Sequence, residues 1–365
     1  MNKIEELIQQ LCPDGVEFNE LGNVIQLEKG KQLNKELLTE TGKYPAYNGG
    51  MAYSGFTDNY NYNENTIIIS QGGASAGFVN FINTKFYANA HCYVVLPKKE
   101  IVENRYVYHF LKLNQEKLTE KQHGAGIPAL RTNEISKIQI PIPPLAIQKE
   151  IAVILDKFTT LEAELEAELE ARRTQYNYYR DQLLKFEGTE VEWKTLGEVC
   201  EKIISGKNKF KSNEGEYPVF GSTGIIGYTN KYIYENDCLL IARVGANAGF
   251  VYKSKGKFDV SDNTLIIRPN NGYTLTFAYF QLLNLGINKF AVGGGQPLIT
   301  ARLLSNLKIP IPPIEEQKRI VGILNKFDAL VNDISVGLPA EIEARRKQYE
   351  FYRGKLLTFT EVSNG

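Results

Sequence analysis

Apolar residues along this chain follow two rhythms, and each rhythm returns in the second half. Five-residue runs rich in aliphatic and β-branched side chains stand at Thr66–Ser70 (TIIIS), Cys92–Leu96 (CYVVL), Cys238–Ala242 (CLLIA) and Thr264–Arg268 (TLIIR). Gly, Asn and Tyr clusters such as YNGGMAYSGFTDNYNYN punctuate them. Short apolar runs between turn-forming residues predict strands in β-rich domains. Tyr106–Leu118 and Thr276–Leu285 read as short helices. The second rhythm is helical. Ile147, Ile151, Ile154, Phe158, Leu161 and Leu165 step alternately by four and three, the seam of a coiled coil. Leu169, Tyr176, Tyr179 and Leu183 extend it. Another seam runs through Ile320, Leu324, Phe327, Leu330, Ile334, Leu338, Ile342, Tyr349, Tyr352 and Leu356. Phe158 to Tyr176 is 18 residues, whereas Phe327 to Tyr349 is 22. Four extra residues are close to one helical turn, so the apolar face stays nearly in phase. The insertion carries Gly337 and Pro339, which predict a kink or break there.

The chain is in effect written twice. IPIPP at Ile140–Pro144 returns at Ile309–Pro313, and ILDKF at Ile154–Phe158 returns as ILNKF at Ile323–Phe327, both offset by 169. EARR at Glu170–Arg173 returns at Glu343–Arg346, and YYRDQLL at Tyr178–Leu184 returns as FYRGKLL at Phe351–Leu357. Tyr44-Pro45 matches Tyr217-Pro218. GGASAGFV (Gly72–Val79) resembles VGANAGFV (Val244–Val251), and VEF…LG (Val16–Gly22) matches VEW…LG (Val191–Gly197). Ordered repetition on this scale means two copies of one unit. The expected fold is α+β: two β-rich domains separated by two long antiparallel coiled-coil helices, with a pseudo-twofold internal repeat. The expected divisions are an N-terminal helix at 1–14, a first domain at 15–144, a first long helix at 145–187, a second domain at 188–313 and a second long helix at 314–360. Each long helix starts after a proline pair, which suits a first turn. Ile4, Leu7, Ile8 and Leu11 precede VEF much as Leu183, Leu184 and Phe186 precede VEW, so the N-terminal helix should dock near the end of the second long helix. Paired antiparallel, such helices would act as a ruler between two domains able to read separated half-sites on duplex DNA.

The formal net charge of zero gives no sign of a nucleic-acid partner, but the regions differ. Residues 21–139 hold 13 Lys+Arg against 10 Asp+Glu, and residues 195–308 hold 13 against 8. Residues 145–187 hold 6 against 9. Two mildly basic domains thus flank an acidic helix. The cysteines Cys12, Cys92, Cys200 and Cys238 form no CxxC pair, which argues against a zinc site or a disulfide framework. The segment MNKIEELIQQ is too polar for a signal peptide, and no apolar run approaches the ~18 residues of a membrane span. The chain is expected to be cytoplasmic, with no membrane association.

Two variable domains, each closed by a stretch such as IPIPPLAIQKEI or IPIPPIEEQKRI and followed by a long helix, resemble the specificity subunit of Type I restriction-modification enzymes. The openings PDGVEFNELG and GTEVEWKTLGEV are similar to that family's domain starts, and the likeness covers nearly the whole chain. It implies two target-recognition domains reading a split site on double-stranded DNA, and adenine methylation there. It implies two methyltransferase subunits docked on the helices and restriction (translocase-nuclease) subunits outside them. S-adenosylmethionine, ATP and Mg would then belong to those partners, with no cofactor and no metal in this chain. In some family members a four-residue helical repeat sets the spacer between half-sites. LEAELEAELEA, with Leu161, Leu165 and Leu169, resembles such a repeat, although its alanine and glutamate content also suits any solvated helix.

No catalytic motif is present. There is no GxxxxGK[ST] loop and no amino-methyltransferase motif of the Asn-Pro-Pro-aromatic kind, and the proline pairs follow isoleucine. Glu192-Trp193-Lys194 and Glu316-Gln317-Lys318 fit half of a nuclease motif by chance. His91 has Asn263 at the similar place in the second half, so a shared catalytic role fails. His109, on an apolar helix, reads as a packed structural residue. The chain is therefore expected to be non-catalytic. A catalytic site hidden in the β domains and a coiled-coil adaptor without DNA contact are the rival readings.

Base readout needs fixed donors and acceptors, whereas phosphate contact needs only positive charge. The DNA-binding candidates in the first domain are Lys29, Lys31, Gln32, Tyr47, Asn48, Tyr53, Gln71, Ser75, His123 and Arg131. In the second they are Lys207, Lys209, Lys211, Ser222, Thr223, Arg243, Asn247, Gln296 and Arg302. Positions identical in both halves, among them Tyr44, Pro45, Gly77 and Gly249, should be scaffold. Positions that differ, such as Gln71-Gly72-Gly73 against Arg243-Val244-Gly245, should be readers.

Overall fold

A computed structural model describes residues 3–120, 129–188, 190–209 and 212–362. It divides into two compact units, Met1–Glu166 with Glu341–Gly365, and Ala167–Ala340. Candidates His123 and Lys211 lie outside the described residues.

In the first unit four antiparallel strands lie in the order Ile25–Lys29, Cys92–Pro97, Thr66–Ser70, Val79–Ile82. Every residue of Thr66–Ser70 is buried. Successive side chains on a strand point to opposite faces, so the run feeds two cores. Ile67, Ile69, Tyr93 and Val95 join one with the helix Asn104–Leu113, while Ile68, Cys92 and Val94 join another with Phe86. A sheet covered on both faces accounts for a continuous apolar run in place of alternation. The second face is covered by a small sheet, Gly55–Thr57, Tyr44–Tyr47, Tyr87–Ala88, and a ribbon pairs Glu17–Glu20 with Gln139–Ile142.

The second unit repeats this topology. Its four strands run Cys200–Ser205, Thr264–Pro269, Cys238–Ala242, Val251–Ser254; its small sheet is Gly224–Thr229, Tyr217–Gly221, Asp259–Val260; its ribbon pairs Glu192–Thr195 with Lys308–Ile311. The two faces again divide the core, with Leu239 and Ile241 on one side and Leu240 with Phe258 on the other.

The first long helix, Leu145–Leu183, has 39 residues and spans roughly 58 Å at 1.5 Å per residue. Ile147, Ile151 and Leu155 are its fully buried apolar positions near the start, and Ile154 and Phe158 are only partly buried. Leu155 stood outside the seam. The opening turns pack on the domain's own core, and that contact rolls the buried stripe by one position. The second long element is two helices, Ile314–Asn332 and Leu338–Leu356. At the break Asp333 Oδ1 accepts hydrogen bonds from the Ser335 N–H (2.7 Å) and hydroxyl (2.6 Å). A Cβ on Gly337 would lie 2.4 Å from the Ala329 carbonyl oxygen. Gly337 thus permits the tight turn, and Pro339 sits in the first turn of the following helix, where its missing N–H costs little.

Within the first unit Phe158 stacks on Tyr352 at 5.3 Å, and Arg346 pairs with Glu162 and Glu166. Numbers rise on one helix as they fall on the other, so the pair is antiparallel. The N-terminal helix, Lys3–Leu11, places Ile4 in the same core as Leu357, with Leu7, Ile8, Leu356 and Phe359 against it. It docks at the end of the last helix, as the sequence spacing predicts.

Candidate nucleic-acid interface

Strand register brings the end of Ile25–Lys29, the end of Thr66–Ser70 and the start of Cys92–Pro97 to one edge of the first unit's sheet, because Lys29 faces Tyr93 and Ser70 faces Cys92. Backbone hydrogen bonds stitch the loops there. Gly30 N–H donates to Cys92 O (2.9 Å), Lys31 N–H to Ala88 O (3.0 Å), Gln71 N–H to His91 O (2.9 Å) and Leu130 N–H to Gln71 O (2.8 Å). A Cβ on Gly30 would lie 2.1 Å from Asn89 O, so only glycine allows this approach. On this frame Lys29, Lys31, Gln32, Asn48, Tyr53 and Arg131 are exposed, and Tyr47, Gln71 and Ser75 are half-buried. Tyr47 packs edge-on against Tyr53 (6.5 Å) and Phe86 (5.8 Å). The sheet edge therefore gathers the described first-domain candidates.

The second unit repeats the stitching bond for bond. Gly206 N–H donates to Thr264 O (3.0 Å), Lys207 N–H to Val260 O (3.0 Å), Arg243 N–H to Asn263 O (2.9 Å) and Ile299 N–H to Arg243 O (2.8 Å). Lys207, Lys209, Thr223, Asn247, Gln296 and Arg302 are exposed, and Ser222 and Arg243 are half-buried. Ser222-Thr223 turn the hairpin between Tyr217–Gly221 and Gly224–Thr229. The bond from Gly245 N–H to Pro297 O (3.0 Å) seats Gln296 beside the Arg243 loop. Arg243 Nη1 lies 3.4 Å from Asp262 O and 3.5 Å from Ser205 Oγ, both long, while its Nε has no partner. The guanidinium is loosely held.

The frame is shared and the side chains on it differ: Gln71 against Arg243, His91 against Asn263, Arg131 against Thr300. Gly77 and Gly249 are scaffold, since a Cβ on either would strike backbone, at 2.9 Å from Thr119 N and 2.3 Å from Asn288 N. His91 and Asn263 are exposed at the same edge. They were missing from the candidate residues, although their mismatch between the halves was the signal that marked Gln71 and Arg243.

Two buried glutamines also escaped the sequence reading. Gln148 Oε1 accepts from Glu103 N–H (2.8 Å), and its Nε2 donates to Ile101 O (3.0 Å) and Pro143 O (2.7 Å). Gln317 Oε1 accepts from Thr274 N–H (2.9 Å), and its Nε2 donates to Gly272 O (2.9 Å) and Pro312 O (2.9 Å). Each clamps the start of a long helix to its domain. The shared Gln-Lys after each proline pair was the available signal.

His109 is a packed residue with a polar task. Its Nε2–H donates to Asp156 Oδ1 (2.7 Å), and Nδ1 accepts from the Tyr349 hydroxyl (2.9 Å), while Arg105 Nε donates to the same Asp156 oxygen (2.8 Å). Burial holds the imidazole below its ordinary value of 6.5 despite the carboxylate. Burial would raise the Asp156 carboxyl, but hydrogen bonds from His109 and Arg105 outweigh it and hold it low. In the helical repeat Leu165 is buried and Leu161 and Leu169 are half-buried. The division between the units falls inside this repeat, at Glu166/Ala167.

Comparison with known proteins places these features in a family. Residues 13–171 and 189–344 each match the Type I restriction modification DNA specificity domain. The specificity subunit of the Escherichia coli Type I restriction enzyme EcoR124I/EcoR124II is 38% identical over 71% of this chain and 72% of its own length. A putative Type I restriction enzyme specificity subunit from Haemophilus influenzae is 30% identical over 98% of both chains. In fold the chain is similar to the crystal structure of a Type I restriction-modification S subunit from M. genitalium, with a TM-score of 0.70 and 23% identity over 94% of this chain and 96% of that one. A chain from a structural study of complex assembly in the type I R-M system matches with a TM-score of 0.62 and 16% identity, over 95% and 98%. Among the described residues no helix is long and apolar enough to cross a membrane.

Proposed function

The chain belongs to the Type I restriction-modification specificity-subunit family, and from that premise we propose that it selects a bipartite tract of double-stranded DNA for its partners and carries out no chemistry itself. The observation that carries this reading is the doubled sheet-edge frame. One backbone presents Gln71, His91 and Arg131 in one copy and Arg243, Asn263 and Thr300 in the other. Two alike scaffolds with unlike side chains suit two half-sites of different sequence. In this reading Lys29, Lys31, Lys207 and Lys209 would meet phosphates, which fix register, while the differing residues would meet base edges. Two methyltransferase subunits and restriction (translocase-nuclease) subunits would dock on the helices, in the cytoplasm. These partners would bind S-adenosylmethionine, ATP and Mg.

The test is selection of duplexes from a randomised library by the full-length chain assembled with its methyltransferase. Two separated preferred blocks at fixed spacing are the expected result, and a single block or none would refute the reading. Arg243→Ala should weaken specific binding by about 1–3 kcal/mol and relax one position in one block only. Lys31→Ala should weaken all sequences alike and reduce the salt slope by about 1.

A further inference from the structure

The two frames differ sharply at one paired position, and in the second unit a pocket lies beside it. Asn89 and Ser261 are equivalent, since Asn89 N–H donates to Tyr47 O and Ser261 N–H to Phe220 O in the same turn of the frame. In the first unit Asn89 fills its surroundings. Its Oδ1 accepts from Leu33 N–H (3.1 Å) and its Nδ2 donates to Leu33 O (3.3 Å). The shorter Ser261 reaches no such partner. It is 5% exposed, and its Oγ is buried with no hydrogen bond among the described residues. Beside it lies a pocket of about 280 Å³ lined by Asn208, Lys209, Ser261, Asp262 and Asn263 over an apolar floor of Val219 and Ile226. The small Ser261 side chain is sealed beneath the cavity, and the neighbouring Asp262 is exposed at its rim.

The chemistry of the lining selects that group. The Asp262 carboxylate is exposed at the rim and has no hydrogen bond or ion pair among the described residues; only its backbone oxygen is engaged, by Ser205 and Arg243. Lys209 in the same lining suits a neighbouring backbone phosphate, whereas the Asp262 carboxylate accepts from an amino group, and Asp or Glu accepting from cytosine N4 is a recognised major-groove contact. Asn263, exposed in the same lining, adds an amide oxygen. We propose that this pocket takes the exocyclic amino group of a cytosine or adenine in the half-site read by the second domain, with Asp262 as the specificity-determining acceptor and the short Ser261 leaving room for it. The first domain, with Asn89 filling the corresponding place and Ala90 where Asp262 stands, has no such reader.

This inference rests on the DNA-recognition reading, and the experiment separates the two. The full-length chain with its methyltransferase is first given the randomised duplex library. Selection of no sequence would overturn the DNA reading and the pocket with it. With the selected site in hand, each cytosine of the second half-site is replaced by 2-pyrimidinone and each adenine by purine, which remove only the amino group. One replacement should weaken binding on the order of tenfold. The same replacement should cost Asp262→Ala under about twofold, because the acceptor is already gone. Ser261→Asn should likewise lose discrimination at that base pair and keep the first half-site preference. The idea is overturned if no amino deletion matters, or if it costs Asp262→Ala as much as the parent. Asp262 lies on the surface, so its replacement leaves the core intact.

Discussion

Gln148 and Gln317 show how much a single buried amide can organise. Each satisfies backbone groups at a domain edge and at a proline-bound helix start, and truncation would orphan both. Gln148→Ala or Gln317→Ala should each cost about 1–3 kcal/mol in denaturant unfolding; a neutral outcome would mean that water replaces the amide. His109 allows a signed prediction. Counting from the residue each glutamine holds, Glu103 and Thr274, His109 corresponds to Phe280 in the second unit. Its folded value lies below 6.5, so its contribution to stability is complete above pH 6.5 and is lost as acid protonates the ring. Asp156, also held low, acts with the same sign at more acid pH. The first unit should therefore weaken on going from about pH 7 to about pH 5, and His109→Phe should flatten that slope. An unchanged slope in the variant would remove His109 as its source. The charged candidates were legible because exposure and charge travel together in a sequence. His91, Asn263 and the Ser261 pocket were not, because each depends on which loops the sheet edge brings together.

Among the elements, the apolar runs TIIIS and CLLIA match strands at Thr66–Ser70 and Cys238–Ala242, whereas the single helix expected over Tyr106–Leu118 is two, Asn104–Leu113 and Gln115–Glu120, parted at Asn114. The break in the second long element was likewise legible, because Gly337 and Pro339 act locally. The rolled stripe at Leu155 was not, since it is set by the domain the helix touches and the helix's own heptads carry no trace of it. The repeat LEAELEAELEA also belongs to this scale. We propose that it sets spacer length. One added four-residue unit lengthens a helix by roughly 6 Å, close to two base-pair steps of ~3.4 Å. Chains with one unit more or fewer should shift the methylated adenines apart or together by a base pair or two, read by mapping methylation on plasmid DNA. Constant spacing across the series would exclude the ruler role.

For the whole molecule, duplication was the most legible property, since matches at a constant offset need no structure to interpret. The composition of the units was legible only in part, through the expected docking of the N-terminal helix on the last one; where the chain divides was not. The second is one uninterrupted stretch, Ala167–Ala340, whereas the first joins Met1–Glu166 to Glu341–Gly365 and builds Tyr349 and Leu357 into its core. That arrangement bears on synthesis. Chains emerge from the ribosome amino end first, and domains usually fold in that order. Here the part made first must wait for the part made last, so the later-made unit should become protease-resistant earlier. Stalled nascent chains carrying residues 1–340 followed by an unstructured extension that fills the exit tunnel, probed by pulse proteolysis, should protect 167–340 and leave 1–166 open to cleavage. Early protection of 1–166 would mean that the closing helix is dispensable during biogenesis.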